Sequence, residues 1–203
     1  MNPWKAEFAR SCSRPLSLED ALEGADVFVG LSGGNLLTQR MLQKMAPDPI
    51  VFALANPTPE ISPEAAAAAR NDLILSTGRS DYPNQVNNVM GFPGIFRGAL
   101  DVRAKTINEE MKRAASEALA ALAREECLPE IAQAYGGSFP PFGKTALLPS
   151  PLDPRLVPRV ASAVASAAMR TGAARVEIDL EKYEASLVKR LKRRGSSSEP
   201  IRQ

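Results

Sequence analysis

Short apolar runs recur along the first part of the chain, at residues 25–31 (A-D-V-F-V-G-L), 50–55 (I-V-F-A-L-A) and 73–76 (L-I-L-S), with stretches of helical pattern between them. Near-continuous apolar runs of strand length, alternating with helices, predict parallel strands buried on both faces. The intervening helices have recognisable starts. Ser17 caps a short helix through Glu23, with Asp20 at its third position and Gly24 as terminator. Thr38 caps a helix with Met41, Leu42 and Met45 on one side, stopping at Ala46-Pro47. Ser62-Pro63-Glu64 opens a third, the alanine run 65–69. The expected fold class is α/β, a doubly wound parallel sheet. Ligands in such sheets bind beyond the carboxyl ends of the strands, which directs attention to loops 32–37, 56–61 and 77–88.

The second half changes to longer helical periods. Residues 92–102 predict a helix with Pro93 at a first-turn position, and Thr106-x-x-Glu109 predicts a capping box opening a helix to about Arg124. Residues 129–151 hold five prolines and three glycines, the composition of an irregular excursion carrying Phe139 and Phe142 over a neighbouring surface. Asp153-Pro154 starts a helix with Val157, Val160, Ala161, Val164 and Ala168 on one stripe, ending at Gly172. Asp179 caps a last helix striped with Leu180, Tyr183, Leu187 and Leu191. The expected division is 1–175 as one α/β domain with a helical extension, 176–194 as a C-terminal helix and 195–203 as a disordered tail.

Composition narrows the chemistry. The 203 residues are 44% hydrophobic and 24% charged, a globular balance, and contain no histidine. That removes Ser-His-Asp triads, Cys-His dyads and His-ligated zinc. Cys12 and Cys127 form no C-x-x-C pair, which suits a reducing compartment. No apolar run reaches membrane-spanning length and the start lacks signal-peptide order, so a soluble cytoplasmic protein with no membrane partner is expected. From Lys189 onward the chain carries +5 of its net charge, leaving about −3 for the rest of a total of +2. That basic end has no interleaved aromatics and reads as a solvated helix end, not a nucleic-acid site.

The strand-end loops concentrate amides and glycines. In Ser32-Gly33-Gly34-Asn35 small residues let a flat ligand approach the backbone, though a tight turn explains them equally. In Asn56-Pro57-Thr58-Pro59-Glu60 the amide suits a carboxylate or carboxamide, against the alternative of an Asx-turn. The loop Gly78 to Asn88 ends in Asn87 and Asn88 at a helix start, where either an anion or simple capping fits. Arg79 and Asp81 read as a structural ion pair inside it.

Two of these segments, F-A-L-A-N-P-T-P-E-I (52–61) and T-G-R-S-D-Y-P-N-Q-V-N-N-V-M-G-F-P-G-I-F-R-G-A-L-D-V (77–102), strongly resemble bacterial malic enzymes. So do I-N-E-E-M-K (107–112), S-P-L-D-P-R-L (150–156) and the opening M-N-P-W-K-A-E-F-A-R. The resemblance implies a Rossmann-like NAD-binding fold, here incomplete and followed by C-terminal helices. It also implies oxidative decarboxylation of (S)-malate to pyruvate and CO2 with reduction of NAD or NADP. Carried over by motif, Asn56 and Asn88 hold the malate carboxylate, while Ser32, Gly33 and Asn87 lie on the cofactor side. Ser-Gly-Gly-Asn departs there from the Ser-Ala-Pro-Gly common in relatives.

The family's tyrosine acid, lysine base, carboxylates for Mg2+ or Mn2+ and G-x-G-x-x-G loop have no counterpart in this sequence. The resemblance therefore implies an N-terminally truncated, C-terminal part of a malic enzyme, with no catalytic residue or metal ligand of its own. Such a part would be inactive alone. Its implied partners are malate, a missing N-terminal half and, in the complete protein, other copies of itself. Two other readings are a non-catalytic relic, serving as an oligomerisation or acidic-metabolite-binding module, and a different dinucleotide-dependent dehydrogenase.

Overall fold

The computed structural model describes residues 3–11 and 14–195. Cys12 and residues 196–203, most of the tail expected to be disordered, lie outside the described residues. The chain divides into two compact units, residues 1–75 and 76–203.

In the first unit, α1 (Pro3–Ala6) and α2 (Leu18–Leu22) precede β1 (Val27–Gly30), α3 (Gln39–Gln43), β2 (Ile50–Ala53) and α4 (Pro63–Ala69). The strand β3 (Ile74–Thr77) runs across the division. The three strands form one sheet in the order β1-β2-β3, and β1 pairs with β2 in parallel from Val27 opposite Ile50 to Gly30 opposite Ala53. This is the expected α/β class. The local starts are those the sequence predicts. Ser17 Oγ accepts the Asp20 N–H at 3.1 Å while Asp20 Oδ2 accepts the Ser17 N–H at 3.0 Å, a complete capping box. Thr38 Oγ1 and Ser62 Oγ cap α3 and α4 by accepting the Met41 and Ala65 N–H groups, with no return bond among the described residues. Phe28, Leu42, Met45, Val51, Ala53, Ile61 and Ala66 form the core. Val27 and Val29, pointing to the other face of β1, are 50% and 56% exposed, so the two-sided burial expected of that strand is not met.

Arg70 closes α3 from a distance. Its guanidinium donates to the carbonyls of Leu42, Met45 and Ala46 at 3.0–3.2 Å, and its remaining edge pairs bidentately with Asp72. Helix-end carbonyls need such donors, and a planar cation supplies several at once. The same pair holds the Asp72 carboxyl well below the usual carboxylate range, chiefly through the hydrogen bonds from Arg70.

The second unit contains a 3-10 turn (Asn88–Met90), α5 (Phe92–Asp101), α6 (Glu109–Ala123), α7 (Pro129–Ala134), α8 (Leu156–Arg170) and α9 (Leu180–Gly195). Its core helix is α8, where Val160, Ala161, Val164, Ala165, Ala167 and Ala168 are fully buried. On α5, Gly94 and Gly98 let α8 approach closely: a Cβ on Gly98 would stand 2.4 Å from the Ala161 carbonyl oxygen. Three sequence expectations change here. Asn108, not Thr106, caps α6, accepting the Met111 N–H at 3.0 Å and donating to Thr171 Oγ1 at 2.9 Å. The proline-rich stretch contains a short helix, α7, opened by Pro129 at its first turn. The last helix continues to Gly195, one residue into the segment expected to be disordered. Asp179 caps that helix as expected, with its Oδ1 accepting the Lys182 N–H at 3.1 Å. No helix among the described residues is long and apolar enough to cross a membrane.

Candidate functional site

In the first unit, the loops after β1 and β2 interlock. Asn35 N–H donates to the Pro59 carbonyl at 3.0 Å and Leu37 N–H to the Glu60 carbonyl at 2.9 Å. The glycines of the first loop have different reasons to be glycine. A Cβ on Gly34 would meet Thr58 at 2.7 Å, whereas one on Gly33 would find only the end of the Leu36 side chain at 3.6 Å. The space over Gly33 is thus left open by the protein itself, and Ser32 beside it is exposed. These two residues fit the close approach of a flat ligand. Gly34 is a packing residue.

Asn56 begins the second loop, joined to Pro57 by a cis peptide bond. Its side chain is exposed and makes no hydrogen bond among the described residues. The Asx-turn alternative is therefore not what the structure contains, and the amide is free for a ligand.

Sequence reasoning missed Glu60, which is fully buried. Its Oε1 accepts the Ser32 N–H at 3.2 Å and its Oε2 accepts the Ala55 N–H at 3.0 Å. It fills the space that a Cβ on Gly30 would take, since that atom would fall 2.3 Å from the Glu60 Cδ. The signal was present as the last letter of N-P-T-P-E, but a glutamate in a loop gives no local hint that it turns inward.

In the second unit, the 77–88 loop spends most of its polar side chains on itself. Arg79 and Asp81 form a bidentate ion pair, as expected, which lowers the Asp81 pKa and places the guanidinium 5.5 Å from the Tyr82 ring centre. Asn84 bridges to residues 144–147, accepting from Leu147 N–H at 2.9 Å and donating to the Lys144 carbonyl at 3.1 Å. Asn87 caps the 3-10 turn through Val89 N–H at 3.0 Å and donates to the Gly78 carbonyl at 2.8 Å. Both ends of its amide are thus engaged. Asn88 is exposed and makes no side-chain hydrogen bond among the described residues. The two adjacent asparagines divide the work: one holds the loop, the other is presented to solvent.

Two cavities lie in the second unit, one of them against the 77–88 loop. One, of about 320 Å³, is bordered by Arg124, Cys127, Phe142, Asp153 and Arg155, and the Arg124 guanidinium stacks 4.4 Å above the Phe142 ring. The other, of about 210 Å³, lies between Tyr82, Gln85, Tyr135 and Phe139. Phe139 and Phe142 thus line cavities within their own unit. Among the described residues no group of three or more Asp, Glu, Cys or His could hold a metal ion, so a divalent metal finds no fitting ligand set there.

Residues 5–138 match the family described as malic enzyme, NAD binding domain. An NADP-dependent malic enzyme of Rhizobium meliloti (strain 1021) is 56% identical over 90% of this chain, and an NAD-dependent malic enzyme of the same strain is 52% identical over 99%. This chain spans 24% and 26% of the length of those two relatives. The crystal structure of a malic enzyme from Pyrococcus horikoshii Ot3 superposes with a TM-score of 0.76 at 41% identity, covering 91% of this chain and 39% of that one.

Proposed function

The chain belongs to the malic enzyme family through its NAD-binding domain, and from that membership we propose that it orients malate and a nicotinamide dinucleotide for oxidative decarboxylation to pyruvate and CO2. The observation that carries the reading is the pair of presented amides: Asn56 and Asn88 are exposed and unengaged, while neighbouring polar side chains such as Asn84 and Asn87 are tied to the fold. A primary amide donates two N–H groups, which suits a carboxylate. On the family resemblance, Asn56 in the first unit and Asn88 in the second are each assigned to malate as amide donors to its carboxylate. Ser32 and Gly33 receive the nicotinamide side of the dinucleotide over the open surface at Gly33. Bound there, NAD or NADP supplies the acceptor for the hydride leaving C2. Asn87 acts through Asn88 by holding the loop. The described residues offer no metal ligand set, and no step is assigned to a metal on this chain.

The contribution of these residues is positioning, where losing a single fixed contact costs on the order of 10²-fold in rate. The proton transfers and the stabilisation of the enolate are left to residues other than these. Purified alone, the 203-residue chain is expected to be inactive.

The test is a chimera in which this chain replaces the matching portion of the Rhizobium meliloti NADP-dependent enzyme. Malate-dependent reduction of NADP, reduced about 10²-fold by Asn56→Ala and by Asn88→Ala, supports the assignment. A chimera in which both variants retain the parental rate refutes it.

A further inference from the structure

Glu60 is buried completely, yet among the described residues no cation pairs with it. Glutamate is almost never fully buried without a partner, because its charge loses the stabilisation that water gives it. Its partners here are two main-chain N–H groups, one for each carboxylate oxygen: Ser32 at 3.2 Å and Ala55 at 3.0 Å. Ser32 stands two residues after the end of β1 and Ala55 two residues after the end of β2. At both places the chain has left the strand ladder, so these amides need an acceptor from elsewhere. Gly30 makes room for that acceptor, since any Cβ there would overlap the Glu60 side chain.

The residues tied in this way sit directly beside the ones assigned to ligands. Ala55 precedes Asn56, and Ser32 precedes Gly33. We propose that Glu60 is a positioning residue, whose carboxylate couples the Ser32-Gly33 loop to the Asn56 loop and sets the separation between the dinucleotide and the malate carboxylate. The inference rests on the ligand assignments proposed above. An apolar side chain beside Gly30 would leave the Ser32 and Ala55 N–H groups without this acceptor. Two acceptor oxygens on one short, rigidly held group are what a fixed separation between two loops requires.

Glu60→Gln tests this, because it keeps the shape but replaces one acceptor by an NH2 that faces a backbone N–H. Amide hydrogen exchange in the 203-residue chain is expected to accelerate about ten-fold or more at whichever of Ser32 and Ala55 faces the new NH2, and by less at the other, whose charge-assisted hydrogen bond becomes a neutral one. Exchange at Val51 and Ala53 in β2 stays unchanged. Titration with NADP+ and NAD+, followed by amide shifts at Ser32 and Gly33, is expected to show a dissociation constant about ten-fold weaker in the variant. Unchanged exchange at Ser32 and Ala55 overturns the inference. Faster exchange with unaltered dinucleotide affinity also overturns it, by showing that the carboxylate is a structural staple only.

A second measurement uses the unmutated chain and does not depend on how the variant folds. Saturating NADP+ should slow exchange at Ala55 together with Ser32, since the two amides share one carboxylate; slowing at Ser32 alone overturns the coupling. If neither dinucleotide binds the unmutated chain, the cofactor assignment of Ser32 and Gly33 fails, while exchange in Glu60→Gln still decides whether the two loops are coupled.

Discussion

Replacing Gly98 by alanine sets two known effects against each other. On an isolated helix the change stabilises, by about 1 kcal/mol, because glycine loses more backbone freedom on folding. In α5 the new Cβ would stand 2.4 Å from the Ala161 carbonyl oxygen and 3.0 Å from Val164 Cβ. Restoring ordinary contact requires α5 and α8 to part by about 1 Å, and a gap of that size forfeits a quarter to a half of the dispersion energy of the atoms it separates. Val160, Ala161 and Val164 are fully buried, so the face of α8 that meets α5 has no free space to take up the shift. Overpacking of this kind costs about 1–3 kcal/mol, leaving a net loss of up to about 2 kcal/mol after the propensity gain. Guanidinium denaturation followed by far-ultraviolet circular dichroism should show it as a lower midpoint at unchanged slope. Gly94→Ala meets Val160 Cβ and Cγ1, both at 2.6 Å, in the same way. Because one separation relieves both clashes, the double variant should cost less than the two singles together. A Gly98→Ala chain more stable than the parent would refute the account of the α5–α8 contact.

The adjacent asparagines should separate by assay in the chimera. Asn88→Ala lowers the malate-dependent rate about 10²-fold and leaves the thermal midpoint unchanged, whereas Asn87→Ala lowers the midpoint through loss of a cap worth about 1 kcal/mol. Arg70→Met removes donors from three carbonyls as well as the Asp72 partner, at a cost of about 1.5–3 kcal/mol near neutral pH. Asp72 has a folded pKa depressed below its unfolded one. The stability it contributes is therefore complete above the unfolded value of about 4 and lost as pH falls below it. The stability difference between parent and Arg70→Met should accordingly narrow only below about pH 4, leaving the share due to the three carbonyls. The purified 203-residue chain, incubated with malate, NADP+ and Mg2+, should form no pyruvate in a coupled lactate dehydrogenase assay; steady pyruvate formation would show that it holds an acid-base set not recognised in its sequence.

Local chemistry was legible without the fold. The Ser17, Thr38 and Ser62 caps and the strand runs depend on residues within a few positions of one another, where chain geometry leaves little choice. The asparagine motifs stood out only through the resemblance of residues 52–61 and 77–102 to malic enzymes. What tertiary structure decided were choices between side chains of equal local merit. Thr106 and Asn108 can both cap α6, and Asn108 does so while also reaching Thr171, 63 positions away. Asn87 and Asn88 are identical in type, and the Gly78 carbonyl claims the first. Glu60 looked like a loop carboxylate, and two amides from different strand ends with a glycine-sized space drew it inside. A hydrogen bond within one turn is set by the spacing of the residues that make it. A bond across the fold exists only once packing has brought distant donors and acceptors together and shut out the water that would otherwise satisfy them.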